Sequence, residues 1–353
     1  MLKLLSVFSL LVAGSAHAYP QTIYKGYQSC ATCHVSPAGA GLLHDYGRGV
    51  SEAFMATWSR EGEAMEFFGL GETPHLDLGA DVIYAGLNRR TQESSSFSRF
   101  PMLAEVELAA RVDERLTLVA STGVYSREKN LENRRSYLYY KVNRHLGFRA
   151  GHFFIPYGLG LNDHTAWVKS LLGFDQGEET WNAELSYLDR WGEIFFTASS
   201  GKEARLDGSR QGRYQFENYD DRAWAVRAAA NLGKRWQVGL SGRVRSTRRT
   251  WGLFMKGSPV KNTYVLAEVD HDKSDGAEQQ MMSYLRGGWY IVPGFDLFIT
   301  NEMWRKFEHS QAWATGFDWM VRPRIQFTVF AKASWYRQEQ ITTDLMMMTH
   351  LWL

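Results

Sequence analysis

The chain has 353 residues, with 40 Lys and Arg against 38 Asp and Glu, for a formal charge of +2. So even a balance leaves no electrostatic footprint for nucleic acid, which is not expected as a partner. With only two cysteines, Cys30 and Cys33, a disulfide-dense scaffold is excluded as well.

The N-terminus carries Lys3, an apolar run from Leu4 to Ala13, and Gly14-Ser15-Ala16-His17-Ala18. A basic start, a short hydrophobic stretch and a small-x-small ending predict a secretory signal over 1–18, cleaved after Ala18. A retained anchor helix is the alternative, but the run falls short of the roughly 20 residues that span a bilayer. No later stretch reaches that length.

Residues 19–70 read as a second unit, with several glycines, a helical-looking stretch and Cys30-Ala31-Thr32-Cys33-His34. CxxCH is the spacing of covalent c-type haem attachment: two thiols bond the vinyl groups and the imidazole ligates iron. Cys30 and Cys33 are therefore the expected cofactor-binding residues of one haem c, and His34 its proximal ligand. Two alternatives stand beside it. A redox disulfide would sit in a βαβ setting that the sequence lacks, and zinc would need a further ligand pair at defined spacing.

For the sixth iron position the candidates are His44 first, then Met55, with Met65 behind them. Pro37, Gly39 and Gly41 would let the backbone turn beside a flat macrocycle, or form an ordinary loop. Arg48 suits a haem propionate, or solvent.

From 71 to 353 the pattern changes to period-two alternation broken by turn residues. Leu76, Leu78, Ala80, Val82 and Tyr84 oppose Asp77, Gly79 and Asp81. Val106 and Leu108 oppose Glu105, Glu107 and Arg111, and Phe327, Val329 and Ala331 oppose Gln326, Thr328 and Lys332. One apolar and one polar face predict a transmembrane antiparallel β-barrel of about sixteen strands. Fourteen is the alternative, because 235–270 divides ambiguously.

Tight turns fall near 113–115, 143–145, 189–190, 233–234, 293–294 and 322–323. Longer connections are expected at 89–99, 127–133, 157–177, 201–220 and 271–279. That asymmetry suits periplasmic turns and extracellular loops; a periplasmic β-sandwich is the rival architecture. Loop 157–177 could fold into the lumen or lie outside. Glu105, Glu107, Arg111, Arg149 and Arg227 are expected to face the lumen, while Arg89-Arg90, Arg134-Arg135 and Arg248-Arg249 read as solvated surface. The last strand ends His350-Leu351-Trp352-Leu353, an aromatic-bearing end of the kind that barrel insertion machinery reads.

A signal peptide, one CxxCH near the mature N-terminus and a barrel to the C-terminus resemble the fused monohaem cytochrome c–porin proteins of the bacterial outer membrane. The iron-oxidising members are the best-known cases. In motif the resemblance covers about residues 29–54, from Ser29 and the CxxCH to Tyr46-Gly47-Arg48 and Phe54. It implies a haem segment plugging or capping the barrel, in the lumen or the periplasm. It also implies electron transfer between periplasmic carriers and an extracellular donor such as ferrous iron, with outer-membrane lipid around the barrel. The alternative function is a porin whose haem segment gates it or senses redox state; a haem enzyme would need an open iron position.

Overall fold

The computed structural model describes residues 20–63, 75–125, 131–161, 163, 165–174, 179–201, 222–275, 279–305, 309–336 and 339–352. The expected signal and Met65 lie outside them. Sixteen antiparallel strands follow one another around a closed ring. They are β1 Leu76–Arg90, β2 Ser95–Arg111, β3 Leu116–Tyr125, β4 Glu132–Lys141, β5 Leu146–Phe153, β6 Thr180–Asp189, β7 Gly192–Gly201 and β8 Ala223–Leu232. The second half comprises β9 Trp236–Arg245, β10 Arg248–Gly257, β11 Thr263–Ser274, β12 Gln280–Val292, β13 Phe295–Arg305, β14 His309–Arg322, β15 Ile325–Tyr336 and β16 Glu339–Trp352. β1 pairs with β16 to close the barrel, with Asp81 opposite Trp352 and Arg90 opposite Thr343. The sandwich alternative is thereby overturned: a closed ring has no free edge to protect.

The region 235–270 resolves into three strands, which settles the count at sixteen rather than fourteen. One expected loop shrinks. Instead of 89–99, only residues 91–94 connect β1 to β2, because Ser95–Phe100 pair with Ala85–Arg90. The serines there are compatible with a strand extended beyond the apolar belt.

Alternation along the strands sorts the side chains inside out. Val106, Leu253, Ile299 and Trp224 are more than half exposed on the outer face, whereas Glu105, Glu107, Glu184 and Asp270 are buried within. A soluble fold would place them the other way round. An apolar exterior around a polar interior is suited to hydrocarbon outside. The seam carries the same logic: His350 Nε2 lies 2.8 Å from Asp81 Oδ1, inside the ring where β1 meets β16.

The lumen is filled from both ends. At the end bearing the short turns, residues 20–63 enter as a plug made of two short 3-10 turns, Pro20–Lys25 and Cys30–Thr32, then helix α1 Asp45–Val50 and one wider helical turn Ser51–Met55. From the opposite end the chain after β5 folds inward and carries the short helix α2 Trp167–Ser170. Of the two positions open to loop 157–177, its described residues 157–161 and 165–174 take the lumen. Tyr157 donates to Asp270 (2.9 Å), the Leu159 amide to Glu268 (3.0 Å) and the Trp167 amide to Glu302 (2.7 Å). Ile23 and Tyr24 of the plug share one apolar cluster with Tyr157, Leu159, Val168 and Leu172 of the loop. Trp352 also faces inward, against Leu43 and Ala56 of the plug, so the last aromatic of the barrel covers the plug rather than facing outward.

The outward belt is directly testable. Leu253→Arg should lower stability in phospholipid vesicles by about 2–4 kcal/mol, read by denaturant unfolding. Val260→Arg, in the turn between β10 and β11, should leave it unchanged.

Candidate functional site

The chemistry predicted at Cys30–His34 sits inside the mouth of the barrel. The 3-10 turn Cys30–Thr32 is closed by the Cys33 and His34 amides donating to the Cys30 carbonyl, at 3.1 and 3.0 Å. A reversal follows at Ser36-Pro37-Ala38-Gly39-Ala40-Gly41, with Gly39, Ala40 and Gly41 all left-handed (φ +83°, +62° and +69°). Three such residues in succession turn the chain back on itself, and small residues make this cheap. The returning strand pairs with the outgoing one, the Val35 amide donating to Leu42 O at 3.0 Å.

That reversal carries a consequence for His34. Its Nδ1–H donates to the Gly41 carbonyl at 3.0 Å, and the ring is buried. A carbonyl on Nδ1 fixes the tautomer and leaves Nε2 as the lone-pair nitrogen, as metal-ligating histidines commonly have it. Gly41 was expected only as a turn former, and its role as an acceptor emerges from the fold.

The reversal is held by the barrel wall. Leu42 donates its amide to Glu107 Oε2 (2.9 Å), and Arg135 reaches both Glu105 (2.8 Å) and Glu107 (3.1 Å). Arg149 donates to Ser36 Oγ (2.8 Å) and to Glu184 (2.9 Å). A Cβ on Gly41 would lie 2.5 Å from Arg135 Nη1, so the backbone itself rests on the ion pair. Arg134 and Arg135 were read as solvated, and the structure corrects this. Both oppose Ser121 in a β-bulge between Ala120 and Thr122, and the extra residue leaves both side chains buried. Nothing in simple alternation marks such a bulge.

The two thiols are not joined to each other. Burial raises both above the ordinary thiol range, Cys33 to about 11 with Cys30's charge adding to the effect. Cys30 lines an inner chamber. Cys33 packs with Leu43, Met55, Met320 and Trp352. Among the described residues no group of three or more His, Cys, Asp or Glu is gathered where a metal ion could be held. Cys30, Cys33 and His34 lie on one short turn and the residues that follow it.

His44 stands at the start of α1, its amide donating to Cys33 O (3.1 Å) and its Nε2 lying 3.4 Å from Ala31 O. Burial holds its pKa down, which keeps the imidazole neutral and able to act as a ligand at pH 7. Met55 packs in the same cluster as Cys33, so both sixth-ligand candidates border the motif. Arg48 is neither exposed nor free: it donates to Leu78 O at 2.9 Å and tethers α1 to β1. Glu105, Glu107, Arg149 and Arg227 are buried on the lumen side as expected, whereas Arg111 lies nearer the rim, paired with Asp77.

The barrel has the porin fold. It resembles an outer membrane protein OmpT of Vibrio cholerae with loop L8 deleted (TM-score 0.58, 9% identity, 79% of this chain and 99% of that one). It resembles Pseudomonas putida OprB at TM-score 0.64 and 6% identity over 79% and 94% of the two chains. An anion-selective porin from Comamonas acidovorans aligns at 0.61 and 10% over 79% and 99%. No protein-family model matches the chain, and no curated protein matches it in sequence.

Gly41→Ala should lift the reversal off Arg135, since it combines a left-handed residue, costing about 1–2 kcal/mol, with a blocked approach. Limited proteolysis should cut the plug faster in this variant. Gly49→Ala, where a Cβ meets nothing within 4 Å, should behave as wild type.

Proposed function

We propose that this chain is an outer-membrane electron-transfer protein: a sixteen-stranded barrel closed by its own N-terminal segment, to which one haem c is attached. Cys30 and Cys33 would hold the porphyrin, His34 would ligate the iron through Nε2, and His44 or Met55 would supply the sixth ligand. Such a group contributes a one-electron ferric–ferrous couple. The observation that carries the reading is the Nδ1–H of His34 donated to Gly41 O beside two unpaired thiols.

The protein's own residues then have separable tasks. The reversal at 36–41 orients the imidazole, Glu105–Arg135–Glu107 fixes that reversal to the wall, and Arg48 ties α1 to β1. The inward loop and the plug meet in one apolar cluster. The resemblance to monohaem cytochrome–porins supports periplasmic electron carriers at the short-turn end. On the other side it supports an extracellular donor such as ferrous iron. A bilayer core of about 30 Å separates those partners, so a motif inside the barrel mouth suits transfer across it better than one hanging below.

The second reading, a porin gated by its haem segment, is favoured by the porin fold itself and opposed by the filled lumen. Vesicles carrying the purified protein, an impermeant reductant outside and a trapped acceptor inside separate the two. Acceptor reduction with wild type, lost in Cys30→Ser, is the expected result. Haem-loaded protein that transfers no electrons overturns the proposal, and conductance equal in wild type and Cys30→Ser would favour the porin.

A further inference from the structure

The outer face of the barrel is apolar along most of its height, and a cluster on β10–β13 departs from that. It lies at the end opposite the plug, where the inward loop enters. Arg248 and Arg249 open β10, and alternation parts them. Arg248 turns inward and donates to Asp272 at 2.7 Å, whereas Arg249 is exposed on the outside. Arg249 stands directly opposite Lys273 in the β10–β11 ladder, and Lys273 is exposed as well. Two strands further on, exposed Arg305 ends β13, in register with Met281 on one side and His309 on the other.

Among the described residues, none of these three cations makes a side-chain hydrogen bond or an ion pair. Asp275 is exposed nearby in sequence, and no ion pair links it to Lys273 or Arg249. Like charges directly opposite on one face of a sheet repel, and an anion between them removes the repulsion. Toward the middle of the same strands the outward residues are apolar: Trp251, Leu253, Val269, Met281 and Met303 are all exposed. Trp251 also stacks on His271 across the ladder, with ring centroids 5.2 Å apart. At the short-turn ends of these strands the exposed strand residues are again apolar, Trp289, Ile291, Val292 and Leu297. The cations therefore mark one end of the belt only. Arg and Lys at such a boundary run their stems along hydrocarbon and hold the charge at head-group level.

We propose that this face binds a phosphorylated glycolipid of the outer leaflet, its phosphates on Arg249, Lys273 and Arg305 and its acyl chains along Trp251, Leu253 and Met303. Arg offers paired donors to phosphate oxygens, and Lys a compact charge. Neighbouring strands lie about 4.8 Å apart, so Arg249 and Lys273 reach one phosphate together. Arg305, two strands from Lys273, meets a second phosphate on the same sugar head group. That spread favours a glycolipid with two phosphates over a phospholipid with one. The site stands apart from the lumen and from the haem reading above.

Native mass spectrometry of the whole protein in detergent micelles tests it, with bis-phosphorylated lipid A as the probe. Wild type should retain the lipid, and Arg249→Gln, Lys273→Gln and Arg305→Gln should each weaken retention about tenfold, the loss of one charge-assisted hydrogen bond. Lys261→Gln, in the turn between β10 and β11 at the plug end, should bind as wild type does. Lipid A stripped of its phosphates should not be retained, and phosphatidylglycerol should bind more weakly. Equal retention by wild type and the Arg249→Gln, Lys273→Gln double variant overturns the site. Phosphatidylglycerol held as tightly as lipid A overturns the glycolipid as its occupant. In lipid-free detergent Arg249→Gln should unfold at a temperature no lower than wild type, because it removes a like-charge pair. A loss of stability there would give Arg249 a structural partner and overturn the proposal too.

Discussion

Arg135, gripped between Glu105 and Glu107 on the inner wall, is the interaction on which the rest of the site depends. Two carboxylates so close in a buried setting are costly unless a cation lies between them. The cation is Arg135, and the Glu107 oxygen it engages, Oε2, also accepts from the Leu42 amide. The backbone of Gly41 rests against this pair, and the carbonyl of Gly41 orients His34. A wall ion pair, a chain reversal and the imidazole therefore form one connected unit. Displacing any of them would move the His34 imidazole.

The same inside-out arrangement governs the whole lumen. Strands expose aliphatic and aromatic side chains outward and direct charges inward, where water would ordinarily solvate them. Here protein replaces much of that water. The loop's backbone amides at Leu159 and Trp167 satisfy Glu268 and Glu302, and Lys332 donates to Thr165 O and pairs with Glu302. Lys256, buried on β10, donates to Gln28 O just before the first cysteine. Inner charges thus become the sockets that hold plug and loop, and the barrel becomes a housing.

Much of this was legible from residue order. Alternation along Leu76–Tyr84 and Met102–Arg111 fixes face and strand identity because a strand's period is two. The turn residues divide the barrel into about sixteen strands, with only 235–270 ambiguous between sixteen and fourteen. The CxxCH spacing predicts Cys30, Cys33 and His34 as the haem-attachment residues, and the fold places them on one short turn and the residues that follow it. What could not be read is what depends on a departure from period two or on distant sequence. Arg134 and Arg135 fell at a predicted strand end and so read as solvated, but the bulge opposite Ser121 buries both. The contact between Gly41 and Arg135 spans most of a hundred residues and has no local signature. Arg48 follows a glycine in a helix, a context that suggests exposure, and only the packing of α1 on β1 shows it buried. Trp352 carries the mark of a terminal barrel strand, yet its side chain covers the plug.

The central claim is that the Cys30–His34 turn, held inside the barrel mouth, carries covalent haem. Peptide mass spectrometry of the purified mature protein, after thiol alkylation, tests it most directly. The account predicts that the peptide containing Cys30 and Cys33 carries one haem mass and takes up no alkylating reagent. A peptide with two alkylated cysteines and no haem, recovered from cells competent in c-type haem attachment, would contradict it.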